Sequence, residues 1–410
     1  MERKDLGKEI VIGAQMLFVA FGALVLVPLL TGLNPSIALF TAGAGTLLFQ
    51  VITKASVPVF LASSFAFIAP IQIGIQQFGL GATLGGLASA AIVYIILSAL
   101  IKIRGIKIIE EYLPPIVTGP VIMVIGLNLA PIAVGMTKNF TGGSELDYVA
   151  ILVALFSLAV TITIVIKGKG MLKLIPILCG IIAGYILCAI LGKIDTTPIA
   201  NAGWFSIPWI AGLQDGTFAW PQFDFRAILF ILPVAIAPAI EHVGDILAIS
   251  AAAKKDFIEK PGLHRTLLGD GLATFLAAML GGPPNTTYSE VTGAVTLIKK
   301  FEPRLMTIAA IFAIMLAFLG KLGAVLKTIP APVMGGIMVL LFGMIAAIGI
   351  GTLVNKKVDM SNSRNLVIVS IILVFGIGDM ALGYGEFQLA GIGLAGIVGV
   401  ILNKLLPNNQ

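Results

Sequence analysis

Apolar runs long enough to cross a hydrocarbon core recur from one end of this chain to the other, and no other feature restricts the fold as much. Ile10 to Leu30, Leu84 to Ile101, Tyr148 to Ile166 and Leu366 to Ile377 with its flanks are examples, where a spanning helix needs about 20 such residues. Lipid offers no partner for backbone N–H and C=O groups, so runs of this kind fold as helices. Composition agrees. Of the 410 residues 58% are hydrophobic and 11% charged, with a mean hydropathy of +1.06, whereas about a quarter of an average soluble domain is charged. No hydrophilic stretch is long enough for a separate soluble module. Met1 to Lys8 is too short and polar for a cleavable signal, so the first hydrophobic helix is expected to remain.

Apolar spans and their breaks predict fourteen crossings, beginning near residues 10, 35, 58, 82, 112, 148, 172, 224, 265, 284, 304, 329, 364 and 387. With the amino terminus in the cytoplasm and sides alternating, only Lys138, Lys193, Arg226, Lys321 and Lys327 of the 26 Lys and Arg fall outside. That imbalance is the positive-inside rule. It puts both termini in the cytoplasm of an inner-membrane protein. The net charge of +6 is scattered over short loops, without a patch or aromatic interleaving, which speaks against a nucleic-acid partner. Cys179 and Cys188 lie on opposite faces of one apolar segment and suit neither a disulfide nor a metal.

The chain also repeats itself. Pro115, Gly119 and Gly126 have the spacing of Pro332, Gly336 and Gly343, and Ser63-Ser64-Phe65 in the short third span matches Thr286-Thr287-Tyr288 in the short tenth. Seven spans separate each pair, and an odd number per half inserts the second half upside down, as in secondary transporters. The expected fold is all-α, with fourteen spans in two inverted sets of seven. Val57 to Ser64, containing Pro58, and Gly281 to Thr287, containing Pro283 and Pro284, read as extended chain before a helix. Extended backbone at membrane depth needs a protein or cavity cover, so the two stretches should pair and present helix amino termini to a cavity.

Glu241, Asp245, Asp270 and Glu290 fall in or beside spans 8 to 10 with no Lys or Arg among them. An Asp at a helix centre costs about 2.5 to 3.5 kcal/mol on insertion scales and persists where it lines a pathway. Burial without a cation favours the protonated carboxyl, as a proton carrier requires. Glu241 and Asp245 share a helix face, and Glu290 opens a half-helix whose electropositive end suits a carboxylate. A protonated carboxyl offers one donor and one acceptor in a plane, which fits the N–H and C=O edge of a lactam ring such as uracil or xanthine. Asp245 and Asp270 suit structural hydrogen bonding as well as coupling. His242, about 100° around the helix from Glu241, suits neutral packing, and His264 is a loop residue. Asn139-Phe140-Thr141 and Asn285-Thr286-Thr287 fit a glycosylation pattern, but the second lies at membrane depth. No spaced His and Cys set suggests a metal or cofactor, and no paired nucleophile and base suggests an enzyme.

These residues resemble the nucleobase-ascorbate transporter family of nucleobase:cation symporters, and within it the bacterial uracil permeases. The resemblance is carried by Gln15 through Pro28, Ser63-Ser64-Phe65-Ala66-Phe67, Glu241-His242-Val243-Gly244, Gly262-Leu263-His264-Arg265, Pro284-Asn285-Thr286-Thr287-Tyr288 and Pro332-Val333-Met334-Gly335-Gly336. It implies a core domain of spans 1 to 4 and 8 to 11 (residues 1–110 and 224–327) and a gate domain of spans 5 to 7 and 12 to 14 (111–195 and 328–410), with an extracellular connector at 196–223. It also implies a homodimer touching through the gates. The implied substrate site has Glu241, Glu290 and the backbone amides of Phe65 and Ser289 bonding a base, and Ala23, Phe65, Tyr288 and Phe342 as apolar walls. Glu290, Glu241 and Asp245 would carry the coupled proton. Asp245 and Met16 stand where uracil permeases usually carry histidine. Asp245 and Asp270 are closer to purine carriers, whereas Glu290 replaces their usual glutamine and favours uracil. The stretch after Glu290 also departs from the family pattern, with Val291 for asparagine and Ile298 for threonine.

Overall fold

A computed structural model describes residues 3–141, 145–170, 172–384 and 387–407. Seven described helices are long and apolar enough to cross a membrane: Gly7–Thr31, Pro35–Ile52, Leu80–Arg104, Pro115–Thr137, Tyr148–Lys167, Phe225–Ala253 and Ala331–Asn355. Shorter apolar helices stand between them at Phe65–Phe78, Pro176–Ile190, Ser289–Ile298, Pro303–Ala317, Ser363–Ile377 and Gly391–Leu405. Leu263–Met279 is less apolar because it carries His264, Arg265 and Asp270. The chain is an integral membrane protein of mainly helical fold.

Polar caps and prolines fix where these helices begin and bend. Asn34 accepts from the amides of Ser36 and Ile37 ahead of Pro35, and Asp147 and Asp224 do the same for the helices after them. Each such cap is worth ~1 kcal/mol. In Phe225–Ala253, Pro233 removes a backbone donor and the helix tightens to a 3₁₀ turn at Leu232–Ala235 before resuming at Ile236.

The helices sort into two groups by what they pack against. In the first, Leu263–Met279 lies on Pro35–Ile52 and Ala91–Arg104, Pro303–Ala317 on Pro35–Ile52 and Arg3–Thr31, and Phe225–Ile231 on Leu80–Ser89. The second is built on Pro115–Thr137 against Ala331–Asn355, with Tyr148–Lys167, Pro176–Ile190, Ser363–Ile377 and Gly391–Leu405 around that pair. Gly119 faces Gly349, Gly126 faces Phe342 and Ala346, and Gly335 faces Met136 and Thr137, so the central pair runs antiparallel, as inverted halves require. A Cβ on Gly126 would stand 2.5 Å from the Phe342 carbonyl oxygen. Its repeat counterpart Gly343 has open space beside it, so equal spacing in the sequence does not mean equal packing.

The extended stretches pair as expected. Strand β1 (Leu61–Ser63) and strand β2 (Asn285–Thr287) are antiparallel, with Leu61 opposite Thr287, Ala62 opposite Thr286 and Ser63 opposite Asn285. Exchanging the two halves carries this register onto itself. The surrounding helices satisfy the strands: Thr46 Oγ1 accepts from the Leu61 amide at 3.0 Å, Thr274 donates to the Asn285 carbonyl at 2.8 Å, and the Asn285 side chain donates to the Thr41 carbonyl at 3.0 Å. Every strand residue is buried, which is the cover that irregular backbone in a membrane demands.

Two features were not foreseen. Residues 196–223 contain the short helices Thr197–Asn201 and Pro208–Asp215, anchored where Trp209 Nε1 donates to the Leu280 carbonyl at 2.9 Å. The last helix is preceded by a hairpin, β3 (Ala381–Tyr384) with β4 (Phe387–Ala390), so it starts at Gly391 and not near 387. Leu382, Tyr384, Phe387 and Leu389 within residues 381–390 blur the boundary with the apolar helix that follows.

Candidate functional site

Each strand hands its chain directly to a helix that starts in the interior. After β1, Ser64 donates its amide to the Pro284 carbonyl at 2.9 Å, and a 3₁₀ turn at Phe65–Phe67 leads into Ile68–Phe78. After β2, Tyr288 precedes Ser289–Ile298, with its hydroxyl donating to the Ser63 carbonyl at 3.4 Å. The crossing therefore brings the starts of two half-helices together, and with them Phe65, Tyr288, Ser289 and Glu290. The rings of Phe65 and Tyr288 stand 6.3 Å apart, and Phe342 meets Phe65 edge-on at 6.1 Å.

Beside this crossing lies a cavity of about 760 Å³, within the ~300–1,000 Å³ usual for small-molecule sites. The first helix group contributes Phe65, Glu241, Asp245, Tyr288, Ser289 and Glu290 to its walls, and the second contributes Thr118, Ile122, Ile345, Ile348 and Thr352. Glu241 and Glu290 thus line one space. Leu113, Pro114, Asn355 and Lys356 border it at one end, where Lys356 is exposed. Leu26, Val27, Ile68, Met338, Leu341 and Phe342 pack into a single apolar cluster across the boundary between the groups.

The two acids on the Ile236–Ala253 helix are held differently. Asp245 is buried, with Oδ2 accepting from Thr287 Oγ1 at 2.8 Å and Oδ1 accepting a short hydrogen bond from Ser289 Oγ. Both of its oxygens are therefore committed to the β2 segment. Glu241 is half-buried, and Glu290 and Ser289 are open to the cavity. A ring entering the space would meet two carboxyls on its walls and a third already bound to the neighbouring half-helix. Once a ring fills the space such bonds become selective, since a misfitting ligand leaves a buried polar group unpaired.

Of the residues expected at the site, Glu241, Asp245, Glu290, Phe65, Tyr288 and Ser289 line the cavity, whereas Ala23 and Phe342 are buried outside its lining. Phe342 reaches the site only through its contact with Phe65. Reading the sequence missed three things: the double commitment of Asp245, the position of Lys356 at the mouth, and the meeting of His242 with Asp270. Only the Ser and Thr flanking Tyr288 could have signalled the first. The other two depend on which helices become neighbours. Among the described residues no group of His, Cys, Asp and Glu is disposed to hold a metal ion.

A helical membrane protein whose inverted halves cross at a carboxyl-lined cavity has the build of a secondary transporter and not of an enzyme. Its sequence matches a permease family over residues 7–383. The chain belongs to the nucleobase-ascorbate transporter family and is similar to bacterial uracil permeases. It is 54% identical to a probable uracil permease of Haemophilus influenzae, covering 98% of this chain and 94% of that one. It is 44% identical to the uracil permease of Bacillus caldolyticus, over 99% and 94% of the two chains, and 39% identical to that of Escherichia coli strain K12, over 98% and 92%. Among solved structures the fold resembles the transmembrane domain of a cyanobacterial bicarbonate transporter, BicA, with a TM-score of 0.63 at 14% identity and 98% of each chain covered. It also resembles SLC26A9, with a TM-score of 0.68 at 12% identity over 99% of this chain and 66% of that one, so this chain spans about two thirds of that protein. Those likenesses concern the fold alone.

Proposed function

We propose that this protein imports a nucleobase, uracil in the first instance, by symport with a proton. The reading is carried by one observation, that Glu241 and Glu290 line a single cavity beside the starts of two half-helices. A protonated carboxyl from each of two helices matches the alternating donors and acceptors around a pyrimidine ring. The backbone amides of Phe65 and Ser289 add donors, and Phe65 and Tyr288 supply apolar faces. Similarity to bacterial uracil permeases supports the same substrate.

Transport follows from movement of a core, residues 1–110 and 224–327, against a gate, residues 111–195 and 328–410, with 196–223 connecting the halves outside. Fourteen crossings with both termini in the cytoplasm place the Lys356 end of the cavity at the inner face of the inner membrane. The opposite end is closed by the Leu26, Met338 and Phe342 cluster, so this arrangement is open inward. Glu241 and Glu290 carry the proton that permits binding, and Asp245 transmits their state to the Ser289 half-helix. Two protomers meet through gate helices, whose outer faces expose Leu152, Leu155 and Phe156.

Asp245 favours a second reading, a purine or xanthine symporter, because aspartate at this place is the purine-like residue. Competition decides between them. Labelled uracil uptake that unlabelled uracil suppresses and xanthine does not supports the pyrimidine reading; suppression by xanthine with no uptake of uracil overturns it. The acids lining the cavity speak against an inorganic anion as cargo, since like charges repel at short range.

A further inference from the structure

The cavity leaves one set of buried ionisable groups unused. His242 follows Glu241 on the same helix but is absent from the cavity wall and turns into the first helix group. There its Nδ1 stands 3.2 Å from Oδ2 of Asp270, with neither side chain exposed at all. Tyr94 of Ala91–Arg104 packs against the same turn of Leu263–Met279, where a Cβ on Gly271 would come within 2.5 Å of the tyrosine Cβ. Phe49 covers the imidazole at a ring separation of 6.4 Å and fills the space beside Gly269. The side chains of His242, Asp270 and Tyr94 are all fully buried.

Tyr94 Oη, both ring nitrogens of His242 and both carboxyl oxygens of Asp270 have no aligned hydrogen-bond partner among the described residues. Leaving a polar group in this condition costs about 1–3 kcal/mol, and clustered exceptions call for an explanation. A proton shared by an imidazole and a carboxyl supplies one, because it turns the close contact into a charge-assisted hydrogen bond.

We infer that His242, Asp270 and Tyr94 form a proton-holding site separate from the nucleobase cavity, on another face of the Ile236–Ala253 helix. Its occupant is one proton. When loaded, the pair is an imidazolium beside a carboxylate and carries no net charge; when empty, it carries one negative charge, which the Tyr94 side chain feels electrostatically. The other ionisable groups that reach it electrostatically are Glu241, through Asp270 and Tyr94, and Asp245, through His242. The empty site and an ionised Glu241 repel one another, so the charge states of the two sites are linked. This link to transport rests on the proposed role of Glu241, but the existence of the site does not.

Infrared difference spectra of the purified, substrate-free protein across pH provide the test. In the parent, imidazole and carboxylate bands are expected to change together, and both changes to vanish in Asp270→Asn and equally in His242→Gln. Tyr94→Phe should keep both bands and move their common midpoint by about half a pH unit or more, as loss of a polar group beside the charged form does. An imidazole transition in Asp270→Asn at the parent's midpoint means two independent groups and overturns the site. If neither of those variants folds, an unmoved midpoint in Tyr94→Phe overturns it instead. Failure of the parent to bind uracil would refute the reading of the cavity and leave this result standing.

Discussion

Glu290 occupies the first turn of a helix that starts inside the protein, where unpaired amides favour an acid, and Glu241 faces the same space from another helix. Replacing Glu241 by Gln keeps its shape and removes its proton. Uptake by Glu241→Gln should fall by about 100-fold or more, within the range that general acid–base groups contribute, while membrane protein detected by immunoblot stays at the parent level. Ser289→Ala removes one of the two hydroxyls that hold Asp245; a lost hydrogen bond to a charged group, about 1.5–3 kcal/mol, should weaken uracil affinity roughly tenfold or more in equilibrium binding. The acids were legible because charge is conspicuous in an apolar chain. Their partners were not: His242 and Asp270 lie on different helices, and nothing in either segment states that those helices pack together.

At the scale of elements, the half-chain repeat was legible as proline and glycine spacing, and the pairing of the two extended stretches followed from it. Which glycines are packed was hidden, because spacing records periodicity and not what stands opposite. A Cβ on Gly336 would lie 2.1 Å from the Ala154 carbonyl oxygen, while nothing approaches Gly343 within 4 Å. Gly336→Val should therefore destabilise the protein by the ~1–3 kcal/mol of an overpacked contact, and Gly343→Ala should stay within about 0.5 kcal/mol of the parent. Thermal unfolding in detergent checks both, and similar melting of the two variants would contradict the packing. The β3–β4 hairpin escaped the sequence reading for a related reason: its apolar residues Leu382, Tyr384, Phe387 and Leu389 adjoin a hydrophobic helix, and composition does not separate the two.

For the whole molecule, charge bias and span length made the membrane architecture legible, and the distribution of Lys and Arg predicts an orientation with both termini in the cytoplasm. The conformational state was not legible, since it depends on which end of the core–gate boundary is closed. A protein open inward should admit a polar thiol reagent at the Lys356 end and exclude it beyond Phe342. In a background lacking Cys179 and Cys188, Thr352→Cys should react in inside-out vesicles and be protected by uracil, whereas Met338→Cys should resist the reagent from either side. Equal labelling at both places would contradict the inward-open reading.

Equilibrium binding of labelled uracil to the purified protein tests the central claim most directly, with the parent, Glu241→Gln and Glu290→Gln measured side by side. If both carboxyls grip one ring, the parent binds uracil and each variant loses affinity by about tenfold or more, the equivalent of at least 1.4 kcal/mol. Parent-like binding by both variants would contradict the account.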